Sequence, residues 1–83
     1  MNDEEGFAVR LAAMLALEDV PTHSNATLFE EWSLDSLQAF QLIVAIEAMA
    51  DVDVPPPYVP PIFTVRDAFD YFLHLRAQRD SER

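Results

Sequence analysis

Residues 35–50 read DSLQAFQLIVAIEAMA, and the fold turns on how this stretch is read. Asp35 is a good N-cap residue. Gln38, three positions later, completes a capping-box pattern, so a helix is expected from Ser36 to about Ala50. At about 100° per residue that helix has two distinct sides. Ala39, Leu42, Ile43, Ile46, Met49 and Ala50 form an ordinary core stripe. Leu37, Phe40, Gln41, Val44, Glu47 and Ala48 fall on the other side. A helix that is apolar on both sides is either buried all round or offers a contact surface. An 83-residue chain has too modest an interior to bury it completely. The second side is therefore read as a contact surface.

Upstream, DEEGFAVRLAAMLAL predicts a first helix over about 3–17, with Phe7, Ala8, Leu11, Met14 and Leu15 on its apolar side. Asp3, Glu4 and Glu5 suit a helix N-terminus. Residues 18–35 form a long loop, marked by Pro21 and the polar cluster at 22–25. Leu28, Phe29, Trp32 and Leu34 are expected to pin it to the core, with Trp32 as the main plug. Downstream, residues 51–63 hold five of the six prolines. Proline lacks the N–H and clashes with the preceding turn, so no regular helix of two or more turns is expected over 55–62. The segment reads as a stiff crossover, holding Val59, Ile62 and Phe63 against the core. Thr64 and Asp67 then open a last helix over about 65–77. Val65, Ala68, Phe69, Phe72, Leu73 and Leu75 or Arg76 share its spacing. Residues 78–83 are expected to fray. The result is one all-α domain.

Composition removes several function classes. Fifteen acids face five arginines, there is no lysine, and the net charge is −10. Such a surface repels nucleic acids and anionic membranes and attracts basic protein surfaces. Without cysteine there is no disulfide frame and no thiolate metal site. Asp51 and Asp53 alone do not make a metal site. No signal-peptide pattern is visible, and no apolar run reaches the ~18 residues of a membrane span. A soluble, cytoplasmic monomer is expected. Catalysis in its own right is not. A nucleophilic serine needs a base and an orienting group. The only histidines, His23 and His74, have no fixed relation to Ser36, and a single glycine cannot build a phosphate-cradling loop.

A serine at the first position of a helix has another use. Its hydroxyl faces solvent above free N–H groups and the positive end of the helix dipole. That environment suits a phosphate ester. The stretch LDSLQAFQLIVAIE resembles the D-S-L motif and second helix of acyl carrier proteins. NATLFEEWSLDSL, residues 25–37, is similar to the loop that precedes the motif in that family, and TVRDAFDYF, residues 64–72, is similar to its last helix. The spacing between these blocks matches as well.

The resemblance implies a small four-helix bundle of acyl-carrier type, its short third helix distorted or absent at Pro56–Pro61. It implies a 4′-phosphopantetheine arm on Ser36, derived from coenzyme A, which holds biosynthetic intermediates as thioesters. A phosphopantetheinyl transferase would install the arm, with Asp35 helping to position that enzyme's metal. Loading, synthase and tailoring enzymes would meet Leu37, Phe40, Gln41, Val44 and Glu47. The sequence departs from the family in places. Ser33 stands where glycine is frequent. Gln38 and Gln41 replace acids common in fatty-acid carriers. These departures point to a stand-alone carrier of a polyketide or nonribosomal-type pathway. Two rivals stand beside it: an aminoacyl or peptidyl carrier of the same fold, and an arm-less helical adaptor that binds partners through the second helix.

Overall fold

The computed structural model describes residues 3–52 and 59–81. They form three helices: α1 (Asp3–Met14), α2 (Ser36–Met49) and α3 (Val65–Ser81). Each packs on the other two around a core of Phe7, Leu11, Leu28, Trp32, Leu42, Ile46, Val65, Tyr71 and Leu75. The expected proline crossover lies partly outside the described residues. Its described part, 59–63, is not helical.

α1 ends at Met14, short of the expected residue 17, because the chain turns left-handed at Ala16 (φ 58°). The Leu17 N–H reaches back to the Ala12 carbonyl (2.9 Å) and that of Ala16 to Ala13 (3.1 Å), which closes the helix in a Schellman motif. α2 ends the same way. Asp51 is left-handed (φ 58°), and the Val52 and Asp51 N–H groups bond the Glu47 and Ala48 carbonyls at 3.2 Å. Glycine usually takes such positions, because a Cβ there costs about 1–2 kcal/mol. The chain's one glycine instead sits inside α1, where an added Cβ would meet open space. Gly6→Ala is expected to stabilise the fold by about 1 kcal/mol. Ala16→Gly should add a few tenths to about 1 kcal/mol. Urea midpoints of the two single variants and the double variant check this.

α1 and α3 meet through rings. Phe7 lies 5.3 Å from Phe69 and 5.0 Å from Phe72, and Arg76 sits over the Phe72 face at 5.7 Å. Glu4 ties the same pair together. It is buried, and its carboxylate accepts hydrogen bonds from the Ser24 hydroxyl and from Arg66 Nη1 (3.0 Å). The Ser24 bond, with Arg66 in support, holds its pKa below the usual carboxylate value against the opposing effect of burial. The sequence reading gave Glu4 only a helix-dipole role. Yet its place one turn before Phe7 and Ala8 already puts it on the buried stripe.

The long loop is fastened to the start of α3. Leu28 N–H donates to the Phe63 carbonyl (2.9 Å), Val65 to Ala26 (3.0 Å) and Arg66 to Ser24 (3.1 Å), around a lone bridge between Thr27 and Thr64. Trp32 is 2% exposed, and its indole N–H donates to the Pro21 carbonyl at 2.6 Å. Leu28 and Leu34 are buried beside it, but Phe29, expected inside, is 47% exposed.

Four other expected core residues lie outward: Met14, Val59, Phe63 and Leu73. Met14 is the last residue of its helix, with no turn beyond it to cover the side chain. Val59 and Phe63 flank Ile62, which takes the inward place between them. Leu73 loses to Tyr71, because the buried stripe of α3 runs 65, 68, 71 and 75.

α3 also continues to Ser81, past the expected end at 77. Arg79 holds it there. Its guanidinium donates to the Ala50 carbonyl and to Asp51 at 3.4 Å each, and pairs with Asp80 at 3.2 Å. A cation in the last turn also suits the helix dipole.

Candidate functional site

Ser36 is exposed as the first residue of α2. The loop delivers it there. Leu34 N–H bonds the Leu28 carbonyl (3.2 Å), Leu34 is buried, and Ser33 makes the turn in left-handed geometry (φ 57°). Asp35 is extended (φ −95°, ψ −175°) and caps the helix. Its Oδ1 accepts from Gln38 N–H at 2.8 Å, while Gln38 Oε1 accepts from Asp35 N–H at 3.2 Å. The cap is thus complete without the Ser36 hydroxyl. That hydroxyl stands over the first turn, where backbone N–H groups have no acceptor within the helix.

The outer side of α2 carries an apolar ridge. Leu37 and Phe40 are each 66% exposed and Val44 49%, with exposed Gln41 alongside. Ala45 joins the core side, although its place on the stripe was not foreseen. Glu47, expected on the contact surface, has an internal partner. It is half-buried, and its Oε2 accepts a hydrogen bond from the Tyr71 hydroxyl at 3.2 Å. The missed signal was Tyr71, whose place on the stripe of α3 brings its polar tip to α2.

Burial, reinforced by the Glu47 charge, pushes the Tyr71 phenol up to about 12. An unfolded phenol titrates near ~10. Between those values the unfolded chain binds fewer protons than the folded one, so stability falls as pH rises. The urea midpoint of the wild type should drop more steeply above pH ~10 than that of Tyr71→Phe. Parallel curves would show that the phenol does not titrate with folding.

Beside the ridge, between α2 and the 60–63 segment, lies a cleft of about 230 Å³. Leu28, Phe29 and Leu34 form one wall, Ala39, Leu42 and Ile43 the second, and Pro60, Pro61, Ile62 and Phe63 the third. Every lining side chain is apolar. The cleft begins one helical turn from Ser36. Outside this region, the described residues contain no His/Asp/Glu group able to hold a metal and no helix long and apolar enough to cross a membrane. His23 and His74 are both exposed.

No family model matches the chain, and no solved structure does. A curated relative does match. Over 67 residues, 81% of this chain and 83% of the relative, the sequence is 30% identical to the acyl carrier protein of Syntrophobacter fumaroxidans. The aligned span is long enough to take in most of the helical frame that presents Ser36. At that identity and coverage the relationship is one of family, and the chain belongs to the acyl carrier proteins.

Proposed function

We propose that Ser36 carries a 4′-phosphopantetheine arm, and that the protein presents intermediates on it to partner enzymes without catalysing a reaction itself. The observation that carries this reading is the exposed hydroxyl of Ser36 at the first position of α2, relieved of capping by Asp35 and Gln38. The residues fit the group. A phosphate ester on Ser36 Oγ would lie against the first-turn N–H groups at the positive end of the helix. Leu37 follows at once on the exposed side, so a docked enzyme can reach the attachment point without disturbing the core.

When bound, the arm supplies a terminal thiol that takes an acyl group as a thioester. The chain's own residues hold its root and leave the chemistry to the partners. A phosphopantetheinyl transferase would bring the base that takes the Ser36 proton. Asp35, which is exposed and spends one oxygen on the cap, keeps acceptor capacity for that enzyme's metal.

The apolar cleft favours acyl over aminoacyl cargo. An ammonium group placed there would lose its water and find no acceptor among the lining side chains. An uncharged chain or ring meets only apolar neighbours. The departures from fatty-acid carriers at Gln38 and Gln41 support a polyketide or nonribosomal-type pathway as the setting.

The test is mass spectrometry after incubation with a broad-specificity phosphopantetheinyl transferase and coenzyme A. Addition of one phosphopantetheine group on a peptide containing Ser36 is expected. An unmodified chain would leave the arm-less adaptor as the better description.

A further inference from the structure

Glu31 is exposed, yet its carboxylate is bound within the chain. Its Oε2 accepts from the Thr27 N–H at 2.9 Å, and the Thr27 hydroxyl oxygen accepts from the Glu31 N–H at 3.3 Å. The Thr27 carbonyl takes the Glu31 and Trp32 N–H groups at 3.0 and 3.2 Å. Thr27 is thus held through both its N–H and its carbonyl, and a tight turn closes over 27–32. Two fixed points flank this turn. On one side Thr27 bridges Thr64, and the Leu28 N–H reaches the Phe63 carbonyl. On the other the Leu34 N–H reaches the Leu28 carbonyl, one residue before the Asp35 cap. A pivot at Thr27 therefore passes through Leu28 and Leu34 to the first turn of α2, where Ser36 stands.

We propose that Glu31 is a positioning residue for arm transfer: by closing the turn on Thr27 it sets the place of the Ser36 hydroxyl in the transferase's site. This rests on the carrier reading above and adds a residue that acts through the backbone. In the transfer, Ser36 Oγ bonds the phosphorus nearer pantetheine, and the pyrophosphate linkage of coenzyme A breaks. The adenosine bisphosphate leaves with that bond's electron pair, and the serine proton goes to the transferase's base. A misplacement of about 1 Å in such a step can cost on the order of a hundredfold in rate. Stability is less sensitive. Without the carboxylate, the Thr27 N–H, which lies at the surface, takes water, and the Thr27 carbonyl still closes the turn.

Transferase kinetics at saturating coenzyme A provide the readout, with the chain as varied substrate and mass spectrometry following incorporation on Ser36. Glu31→Ala is expected to lower kcat about tenfold and to leave KM within about twofold, since the lost interaction acts at the reacting oxygen. Glu31→Gln keeps an acceptor oxygen in the same place and should restore the wild-type kcat. Glu31→Asp keeps the charge but is one methylene too short to reach the Thr27 N–H, and should be as slow as Glu31→Ala. Glu30→Ala removes an exposed charge outside the turn's bonds and should leave kcat unchanged. Circular dichroism melts of all four variants should overlay the wild type. Hydrogen exchange at the Thr27 and Ser36 amides should be faster in Glu31→Ala and Glu31→Asp than in Glu31→Gln.

An unchanged kcat in Glu31→Ala overturns the proposal and leaves the turn a purely structural element. A Glu31→Gln chain as slow as Glu31→Ala also overturns it, because charge and not the bond would then matter. A loss carried in KM, or shared by Glu30→Ala, does the same and assigns Glu31 to direct contact with the enzyme. All three leave the arm in place. If the wild-type chain gains no arm at all, the carrier reading fails and the positioning role falls with it.

Discussion

Ser36→Ala is expected to abolish arm attachment and all carrier activity while leaving the urea midpoint where it was. The loss is complete because the chain offers no substitute nucleophile in the same place. Ser33, the nearest other hydroxyl, lies before the cap, in a left-handed turn off the helix. The neutrality has three local causes. Asp35 and Gln38 hold the cap without the hydroxyl. The side chain is exposed, so no cavity forms. Alanine is the best helix former, which offsets anything lost in the first turn. Mass spectrometry and a urea titration of the same sample decide it. A Ser36→Ala chain that still gains a phosphopantetheine group puts the attachment elsewhere. One that loses more than about 1 kcal/mol gives the hydroxyl a structural duty.

Trp32→Ala should be the most damaging substitution for stability, at roughly 3–5 kcal/mol. The indole is almost wholly buried and contributes the largest side chain of the core. Its removal would leave a void beneath the loop and strip the Pro21 carbonyl of its donor. Small domains are stable by only about 5–15 kcal/mol in total. The variant should therefore be partly unfolded well below the wild-type melting temperature. Trp32→Phe separates the two contributions. It keeps most of the apolar contact and loses the hydrogen bond, for which about 0.5–1.5 kcal/mol is expected. A loss below ~1 kcal/mol for Trp32→Ala would mean that the loop does not hang on this ring.

What could be read from the sequence was whatever short-range rules decide. The capping box at Asp35 and Gln38, the second one at Thr64 and Asp67, and the apolar outer line of α2 all follow from residue type and spacing. The misreadings lie where distant parts of the chain compete. Periodicity put Leu73 inside, but helix phase on a three-sided core chose Tyr71. Arg79 looked like tail until the end of α2 supplied it with a carbonyl and a carboxylate. Glu47 reads as a contact-surface residue, and its bond to Tyr71 is invisible at that level because the partner stands 24 positions away on another helix. At the candidate site, Ser36 and its ridge were legible because they sit on one helix. The cleft was not, because its walls come from three separate stretches and exist only once these meet.

The fastening between the long loop and the start of α3 bears on how the molecule opens. Glu4 and Arg66 lie 62 positions apart in an 83-residue chain, so their contact closes a long loop. Long closures of that kind form late in folding and are natural places for a partial opening. The cap of α2, by contrast, spans three residues and forms locally. In a sub-global opening event, the amides of Leu28, Val65 and Arg66 should therefore exchange with solvent together, while those within α2 stay protected longer. Two walls of the cleft adjoin those bonds: one begins at Leu28, and the other, 60–63, ends at Phe63, whose carbonyl accepts from the Leu28 amide. Such an excursion would release whatever the cleft holds while the serine-bearing helix keeps its shape, so loading and unloading the interior need not disturb the platform from which the arm projects.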